Sequence, residues 1–594
     1  MEAQRLERRS ADRRAVPVVA CFSMEIGLRP DLPTYSGGLG ILAGDTLRAA
    51  ADHGLPLAGV TLVHREGYFR QRLDAEGNQV EEPATWTPES QLEPLDARVD
   101  LVLEGHVVRV RAWRFLVEGA QARLPVYLLD TNLPENPPEY RGITDRLYGG
   151  DARLRLLQEA VLGIGGTAML HTLGHEGITT FHMNEGHSAL LGLALLQAAA
   201  ARKGMARPDD AVIDSVRRHC VFTTHTPVPA GHDRFPLGLV TEVLGADSVE
   251  LLRLLGCAGG EMLNMTELAL RLSHFVNGVA MRHREVSRSM FPEYPVDSIT
   301  NGVHAATWMS PPLQELFDRR IPEWRLENFN LRYAVGIPLE EVAAAHAAAK
   351  GRLLVELERR TGRRLEPTTF TIGAARRAAA YKRADLVFFD AERLRRIAHR
   401  AGGLQILFAG KAHPQDEGGK EIIRRITAAA DLLAPDIPIL YLEDYDMALA
   451  SYLVAGVDVW LNTPQRPQEA SGTSGMKAAL NGVPSLSVLD GWWIEGHVEG
   501  VTGWSIGDGY RGEVDPAMEA DSLYEKLENL ILPLYYQDPN RFVEIMRSTI
   551  SLNGSFFTAE RMVMQYAKAA YGLGGRAWLP PLPDPDGQPL VHAR

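Results

Sequence analysis

The feature that most constrains the fold of this chain is the alternation of short apolar segments and amphipathic segments in its second half. Apolar segments of five or six residues, typical of buried strands, are each followed by a segment with helical periodicity. This alternation predicts a parallel, doubly wound sheet, because parallel strands need long crossover connections. The predicted strands lie at 368–372, 404–409, 437–442, 457–461 and 485–489.

The first half of the chain begins in the same way and then changes character. A strand, a glycine-rich segment at 36–40, a helix and a second strand follow one another, an order that predicts an α/β unit. From 68 to 130 apolar residues alternate over short segments, which predicts a β-rich insertion. The other elements predicted in this half are strands at 16–22, 57–63, 178–181 and 220–224 and helices at 41–53 and 154–173.

These patterns divide the chain into two α/β halves and a tail. We expect an N-terminal domain at 1–305, with the β-rich insertion, and a C-terminal domain at 306–571 that contains a charged helix at 339–360. Residues 572–594 hold two adjacent glycines and five prolines, which predicts disorder. Two doubly wound domains would face each other across a cleft, where the loops that end their strands would meet a ligand.

Charge and cysteine content argue against several classes of protein. The chain has 594 residues, and 62 Lys and Arg against 75 Asp and Glu give a net charge of −13, which disfavours nucleic-acid and membrane partners. Cys21, Cys220 and Cys257 are widely spaced, so neither a disulfide framework nor a cysteine-built zinc site is expected. The arginines near the start alternate with acids, unlike a signal peptide, and no apolar segment is long enough for a bilayer. These features predict a cytoplasmic protein.

The most informative segment lies at 469–482, between a predicted strand and a predicted helix, and reads E-A-S-G-T-S-G-M-K-A-A-L-N-G. A loop rich in glycine and hydroxyl residues that opens a helix presents free N–H groups and the positive helix end, which suits a phosphate. Lys477 stands just inside this helix. Its amine could neutralise a phosphate or, when deprotonated, condense with an aldehyde. A solvated lysine after a flexible loop is the alternative interpretation.

A second group of residues is basic and directly follows a predicted strand. It contains Arg376, Arg377, Tyr381 and Lys382, and residues 376–400 hold eight Lys or Arg against three acids. Such a local excess inside an acidic protein predicts an anion site. A solvated basic helix face is the alternative.

One further glycine-rich segment opens a predicted helix, and three short segments hold histidine or asparagine. They are the glycine-rich segment at 36–40, N-E-G-H at 184–187, T-H-T around His225 and T-N-G-V around Asn301. Glycine allows a ligand to approach the backbone closely, although many turns use it as well. The glycine-rich segment at 36–40 is therefore a weak candidate for a ligand contact on its own.

Several histidines suggest a metal cluster as another interpretation. Glycines at 174 and 177 would break a helix that could align them, and no H-E-x-x-H spacing occurs. We therefore expect no metal and interpret these histidines as hydrogen-bonded structural groups. The histidines concerned are His171, His175, His182 and His187.

The motifs, taken in this order, resemble the glycogen (α-glucan) phosphorylases. The string E-A-S-G-x-S-x-M-K-x-x-L-N at 469–481 is similar to the pyridoxal-phosphate attachment signature of that family at nine fixed positions. The resemblance covers about residues 17–510 and is to a short form without the N-terminal regulatory segment. It implies a GT-B type glycosyltransferase fold, pyridoxal 5′-phosphate as cofactor, and retaining phosphorolysis of α-1,4-glucan. Phosphate would attack the non-reducing end of glycogen, starch or maltodextrin and release glucose 1-phosphate.

The resemblance also implies roles for particular residues. The implied catalytic residues are Lys477 as the Schiff-base lysine, Arg377 and Lys382 as ligands of inorganic phosphate, and His225 at the glucose 6-hydroxyl. The implied cofactor contacts are Gly38, Arg376, Tyr445, Thr473 and Ser474. The implied glucose contacts are Gly38, Leu39, His225, Asn301, Tyr381, Glu469, Ala470, Ser471 and Gly472, and Glu185 and His187 would lie near the acceptor sugar.

The chain departs from the family pattern at three places. Arg376 replaces a lysine, which keeps the charge but changes the geometry. Asp446 stands where the best-known members have an arginine, so the outer contacts of the cofactor must differ. Trp492 and Trp493 are also unusual, and could either stack on glucose or pack in the core.

Two other functions fit the same halves and phosphate loop. One is a sugar-nucleotide-dependent α-glucan synthase, but many such enzymes carry a Glu-x7-Glu pair, whereas here position 469 is Glu and position 477 is Lys. The other is a non-catalytic glucan-binding homologue, which would need damaged motifs. The motifs that carry the implied catalytic and cofactor-binding residues are intact, which favours the phosphorylase. The sequence does not determine whether the protein forms a homo-oligomer.

Overall fold

The largest element of the fold is a nine-stranded sheet. The computed structural model describes residues 16–573 except 259, 508 and 510–514. The strands of this sheet are β1 Val19–Ser23, β2 Leu57–Leu62, β5 Glu93–Leu103, β6 His106–Glu118, β7 Arg123–Asp130, β8 Thr180–Asn184, β9 Cys220–Thr223, β12 Phe275–Gly278 and β13 Asp297–Ser298. They lie in the order β13-β12-β9-β8-β1-β2-β7-β6-β5. Neighbours from β13 to β7 are parallel, and the pairs β7-β6 and β6-β5 are antiparallel.

The second half forms a six-stranded sheet in which every neighbouring pair is parallel, so the predicted alternation of strand and helix is confirmed. The strands are β14 Thr371–Ala375, β15 Gln405–Ala409, β16 Ile439–Leu442, β17 Val459–Asn462, β18 Ser485–Val488 and β19 Gly503–Ile506. They lie in the order β16-β15-β14-β17-β18-β19. Strand β19 is absent from the prediction, because its sequence G-W-S-I begins with a glycine and does not form an apolar segment.

Helices connect these strands and cover the sheets. The predicted helix at 154–173 is present as two α-helices joined by one π-helical turn, Val161–Gly165, and the helix predicted at 41–53 begins three residues earlier. The α-helices are Gly38–Asp52, Pro138–Arg141, Ala152–Ala160, Gly166–Thr172, Leu190–Arg202, Asp210–Arg217, Leu237–Leu244, Ala246–Leu254, Met265–Arg271, Met281–Met290, Ala305–Trp308, Pro311–Arg320, Leu339–Thr361, Ala391–Ala401, Glu417–Leu433, Met447–Gly456, Thr473–Leu480, Trp493–Gly496, Pro516–Lys526, Leu532–Gln537, Pro539–Thr549 and Ala559–Ala569.

The β-rich insertion is confirmed and has two parts. Strands β5 to β7 extend the large sheet, whereas β3 (Arg70–Leu73) and β4 (Gln79–Glu82) form a separate hairpin. This hairpin contacts the loop after β15, because Gln71 Nε2 donates to Gly410 O at 2.8 Å and Gln79 Nε2 donates to Ala412 O at 2.9 Å. A second small pair, β10 Arg234–Pro236 and β11 Met262–Asn264, packs Phe235 and Leu263 into the core of the large sheet.

The last described helix returns to the first half of the chain. Residues of Ala559–Ala569 share a buried cluster with Val19 and Leu57 of the large sheet, and Val303 pairs with Thr558. The predicted disordered tail lies, from 574 onward, outside the described residues. Among the residues that the structure describes, no helix combines the length and apolarity needed to cross a bilayer.

Candidate active site

The glycine- and hydroxyl-rich loop at 469–472 opens a helix, as predicted. Gly472 caps helix Thr473–Leu480 with φ at 91°, a left-handed conformation that favours glycine. Ser474 Oγ accepts a hydrogen bond from the Trp460 indole N–H at 3.2 Å, which ties the first turn to strand β17. The loop and its helix are therefore held in place by the second sheet.

Gly475 in this helix lies against the indole of Trp492. A Cβ at this position would be 2.8 Å from Trp492 Cζ2, and the indole is buried. We expect Gly475→Ala to lower the free energy of unfolding by about 1–3 kcal/mol, because a fixed ring must move. Gly351, inside helix Leu339–Thr361, has open space around its Cβ position, so Gly351→Ala should instead raise it by about 0.5–1 kcal/mol. Urea unfolding of both variants checks the opposite signs.

Lys477 is buried, and its surroundings favour a reactive amine. Its Nζ lies 3.7 Å from the centroid of the Trp308 ring. Burial lowers the pKa of Lys477 to about 8, against a smaller opposing effect of Asp45. The Trp308 indole N–H donates to Asp45 Oδ2 at 2.7 Å, so the ring under the amine is held by helix Gly38–Asp52. A lysine with this pKa is partly neutral near pH 7 and can act as a nucleophile.

Arg376, directly after strand β14, forms no ion pair within 4 Å with the residues that the structure describes. Its Nη2 donates to Lys382 O and to Thr463 Oγ1, both at 3.0 Å. Its Nε and Nη1 are buried without a hydrogen-bond partner among the described residues. Burial lowers the pKa of Arg376 to about 10. Because buried donors are rarely left unpaired in proteins, this guanidinium is ready to bind an anion.

Lys382 and Glu469 are brought together from the two predicted motifs. Lys382 Nζ lies 2.5 Å from Glu469 Oε2, and both side chains are largely buried. The Glu469 backbone N–H donates to Asp490 Oδ2 at 2.9 Å. Burial raises the pKa of Asp490 to about 6, and the charge of Glu469 adds to this effect. The structure thus joins the basic segment and the glycine loop in one ionic cluster, with Tyr381, whose ring centroid lies 4.8 Å from Lys382 Nζ, beside it.

Arg377 and Tyr445 differ in their exposure to solvent. Arg377 is exposed and makes no ion pair with the residues that the structure describes, although its charge contributes to the lowered pKa of His413, whose main cause is burial. Tyr445 is half-buried, and burial raises its pKa. The neighbouring Asp446 caps helix Met447–Gly456, because its Oδ1 accepts from Leu449 N–H at 2.7 Å. The departure at Asp446 is thus accounted for by helix capping.

The glycine-rich segment at 36–40 is held by a buried carboxylate, Glu25. Glu25 Oε2 accepts from the backbone N–H groups of Ser36 at 2.6 Å and of Gly37 at 3.1 Å. A Cβ at Gly40 would be 2.7 Å from the same oxygen, whereas nothing lies within 4 Å of one at Gly38. The segment therefore has an open side at Gly38 and the half-buried Leu39, as a ligand-binding loop requires.

His225 and Glu185 are neighbours at the ends of strands β9 and β8. Glu185 Oε2 accepts from His225 N–H at 2.7 Å and from Thr226 Oγ1–H at 2.9 Å, and Glu185 Oε1 accepts from Gly186 N–H at 3.0 Å. The carboxylate is thus engaged by the protein itself and fixes the turn that carries His225. Burial lowers the pKa of His225 to about 3, so the imidazole is neutral at physiological pH.

His187 belongs to a separate charged cluster on the same sheet edge. Its Nε2 lies 3.3 Å from Asp233 Oδ2, and Arg155 contacts the same carboxylate at 3.0 Å. Burial lowers the pKa of His187 to about 3. No group of three His, Cys, Asp or Glu side chains within the described part of the chain is arranged to hold a metal ion.

Asn301 follows strand β13 and has an unused acceptor. Its backbone N–H donates to Val279 O at 3.0 Å, and its carbonyl accepts from Arg561 Nη2 at 2.8 Å. Its side-chain Oδ1 is buried without a hydrogen-bond partner among the described residues. An orphaned acceptor at the end of a parallel strand is suited to a hydroxyl of a ligand.

Trp492 and Trp493 belong to the core. They are 2% and 0% exposed, and Trp492 packs edge-on to Phe557 with ring centroids 4.8 Å apart. Of the two interpretations given by the sequence, core packing is the one that the structure confirms. The pair supports the site indirectly, because the Trp492 backbone N–H donates to Ser471 O at 2.9 Å.

Several residues of the site could not be found from the sequence. Trp308 and Asp45 surround Lys477, although neither belongs to a motif with a recognisable spacing. Glu25, which holds the glycine-rich segment, and Asp490, which binds the loop at Glu469, are single carboxylates far along the chain from their partners. The only signal that could have indicated them is a charged residue within an otherwise apolar strand or directly after one.

Comparison with known proteins identifies the family of this chain. Residues 244–501 match the family of carbohydrate phosphorylases. Maltodextrin phosphorylase of Thermococcus litoralis is 40% identical over 93% of this chain and 70% of its own length. Glycogen phosphorylases of Mycobacterium tuberculosis and Aquifex aeolicus are 38% and 37% identical, over 94% and 93% of this chain and 71% and 86% of their own lengths. The chain belongs to the carbohydrate phosphorylase family, and the resemblance noted in its motifs is confirmed.

Proposed function

We propose that this protein is an α-1,4-glucan phosphorylase, which uses phosphate to cleave non-reducing ends of glycogen, starch or maltodextrin and releases glucose 1-phosphate. The observation that carries the proposal is the buried guanidinium of Arg376, whose Nε and Nη1 lack partners in the described structure, next to the Lys382–Glu469 pair. Relatives named maltodextrin and glycogen phosphorylase support the same activity.

The residues present fit pyridoxal 5′-phosphate as the cofactor. Lys477 would attach it, since its amine is buried and has a pKa of about 8. Arg376 and the helix start at Thr473 and Ser474 would hold its phosphate, because they combine unpaired cationic donors with the positive helix end. The chemistry that this group supplies when bound is proton exchange by a phosphate with a second pKa of about 6.

The remaining residues would bind substrates. Arg377, exposed and without an ion pair among the described residues, would bind inorganic phosphate together with Lys382. Glu469 pairs with Lys382 in this structure. Both charged groups would therefore be held in place before the sugar hydroxyls and phosphate bind. The other proposed contacts are Gly38, Leu39, His225, Asn301, Tyr381, Tyr445 and the backbone at Ala470, Ser471 and Gly472, with Glu185 and His187 near the acceptor sugar.

We also propose the domain arrangement expected from the sequence, two doubly wound domains of the GT-B type that meet across a cleft near residue 305. Contacts between distant segments support it. Asp45, in helix Gly38–Asp52, accepts a hydrogen bond from the Trp308 indole, and the face of that ring makes a cation–π contact with Lys477. Cys21, Cys220 and Cys257 are free thiols, in keeping with the cytoplasmic location that we propose.

The test is phosphorolysis by the purified protein loaded with pyridoxal phosphate. Maltoheptaose and inorganic phosphate should yield α-glucose 1-phosphate, and glucose 1-phosphate should extend the glucan in reverse. Glucan extension from a sugar nucleotide, without release of glucose 1-phosphate from phosphate and glucan, would identify a synthase instead. Glucan binding with neither reaction would identify a non-catalytic homologue.

A further inference from the structure

Ser23, Asn184 and His225 form a hydrogen-bonded chain across strands β1, β8 and β9. The Ser23 hydroxyl donates to Glu25 O at 2.8 Å, a carbonyl that can only accept. The Ser23 oxygen therefore accepts from Asn184 Nδ2, which lies 3.1 Å away. This contact fixes the orientation of the amide, with Asn184 Oδ1 directed at His225 Nε2 at 2.7 Å.

The chain determines which nitrogen of His225 carries the proton. Because an amide oxygen only accepts, Nε2 must be the donor, and Nδ1 of the neutral ring is left as an acceptor. Burial keeps the ring neutral by lowering its pKa to about 3. Glu185 does not compete for the ring, since its carboxylate binds the backbone N–H of His225 and the hydroxyl of Thr226.

A second acceptor lies on the same edge of the large sheet. Asn301 follows β13, and its Oδ1 is buried without a hydrogen-bond partner in the described structure. Strand β13 pairs with β12, which in turn pairs with β9, the strand before His225. A buried acceptor left unpaired is costly, so this edge of the sheet favours a ligand that donates a hydrogen bond.

We propose that Ser23 and Asn184 are positioning residues, which hold His225 as a hydrogen-bond acceptor so that the sugar pocket selects a hydroxyl donor at carbon 6 of glucose. This inference rests on the proposed function, which supplies the glucose residue and its contact with His225. Both residues act through the imidazole of His225. Fluorine at carbon 6, which has nearly the size of a hydroxyl but cannot donate, offers no proton to the Nδ1 acceptor of His225.

The experiment compares glucose 1-phosphate with 6-deoxy-6-fluoroglucose 1-phosphate in glucan extension. The protein as it stands should prefer the hydroxyl by roughly 10- to 100-fold in kcat/KM. In Asn184→Leu, Nε2 loses its acceptor and the proton can move to Nδ1, which then donates to either group. The preference should fall below about threefold, whereas a merely structural loss would lower both rates equally.

Two further variants keep the test decisive. Ser23→Ala releases the amide of Asn184 with little change in volume, so it should also reduce the preference. Asn277→Leu is the matched control, because Asn277 is a buried asparagine in β12 whose side chain binds Thr223 and Tyr566 rather than the imidazole of His225. The inference is overturned if Asn184→Leu and Ser23→Ala retain the preference, or if Asn277→Leu lowers it equally.

Failure of the proposed function gives a different result. A protein without phosphorolysis refutes the enzyme, and the inference is then tested by equilibrium binding of glucose against 6-deoxy-6-fluoroglucose. A preference for glucose that Asn184→Leu removes supports the positioning role even in that case. Equal binding of the two sugars by the unmodified protein refutes it.

Discussion

Lys477→Ala is expected to abolish glucan phosphorolysis and retention of pyridoxal phosphate together. The structure places Nζ in a buried site 3.7 Å from the Trp308 ring centroid, with its pKa lowered to about 8 by burial. Alanine removes the only atom of this side chain that can bind the cofactor covalently. We expect activity below about one-thousandth of that of the unmodified protein. Absorbance of the bound cofactor and intact mass after borohydride treatment measure retention independently of activity.

A matched control is Lys420→Ala, which removes a lysine that pairs with Glu81 at 3.2 Å and is not one of the proposed site residues. It should retain the cofactor, and equal loss in both variants would contradict the assignment.

The same absorbance assay measures how cofactor uptake depends on pH. Because the neutral amine is the nucleophile, uptake of pyridoxal phosphate by the apoprotein should rise with pH and level off above about 8. A solvated lysine, whose ordinary pKa is about 10.4, would show a rise that continues past about pH 10.

Glu469→Gln is expected to lower kcat/KM for phosphorolysis roughly 30- to 1000-fold, which corresponds to a loss of about 2–4 kcal/mol of transition-state stabilisation. The carboxylate lies 2.5 Å from Lys382 Nζ, so its neutralisation leaves a largely buried lysine without its partner. It also removes the charge proposed to bind sugar hydroxyls as charge develops. Initial rates at varied glucan and phosphate concentrations measure the effect.

The control for this charge change is Glu81→Gln, which affects the ion pair with Lys420 outside the proposed site and should change kcat/KM less than about twofold. The double variant Lys382→Met with Glu469→Gln should be less impaired than the two single losses added together, since the residues act as a pair. Strictly additive losses of transition-state stabilisation in the double variant, or a change in kcat/KM below about threefold for Glu469→Gln, would show that the Glu469 carboxylate has no role in the reaction.

The strands of the second sheet could be predicted because their information is local. Segments such as 404–409 and 485–489 are apolar, short and bounded by polar helices, and the structure has strands at Gln405–Ala409 and Ser485–Val488. A buried parallel strand must be apolar on both faces wherever it lies in the sheet. The return of helix Ala559–Ala569 to the first sheet could not be predicted, because an amphipathic helix does not specify which apolar surface it covers.

The sequence by itself determined the family and the candidate residues. The string at 469–481 predicts a phosphate loop followed by a lysine, since the glycines and hydroxyls that such a loop needs are adjacent in the chain. The same holds for the basic segment after strand β14. What the sequence left open was the state of each side chain, such as whether Lys477 was solvated or buried.

Only the tertiary structure decided those states. Lys477 is buried because Trp308, held by Asp45, covers its amine, and His225 is an acceptor because Asn184 and Ser23 fix its proton. Desolvation and hydrogen bonding depend on distances of a few ångströms between residues far apart in the chain. A sequence pattern specifies which groups are available, whereas pKa, tautomer and pairing are set by neighbours that only folding brings together.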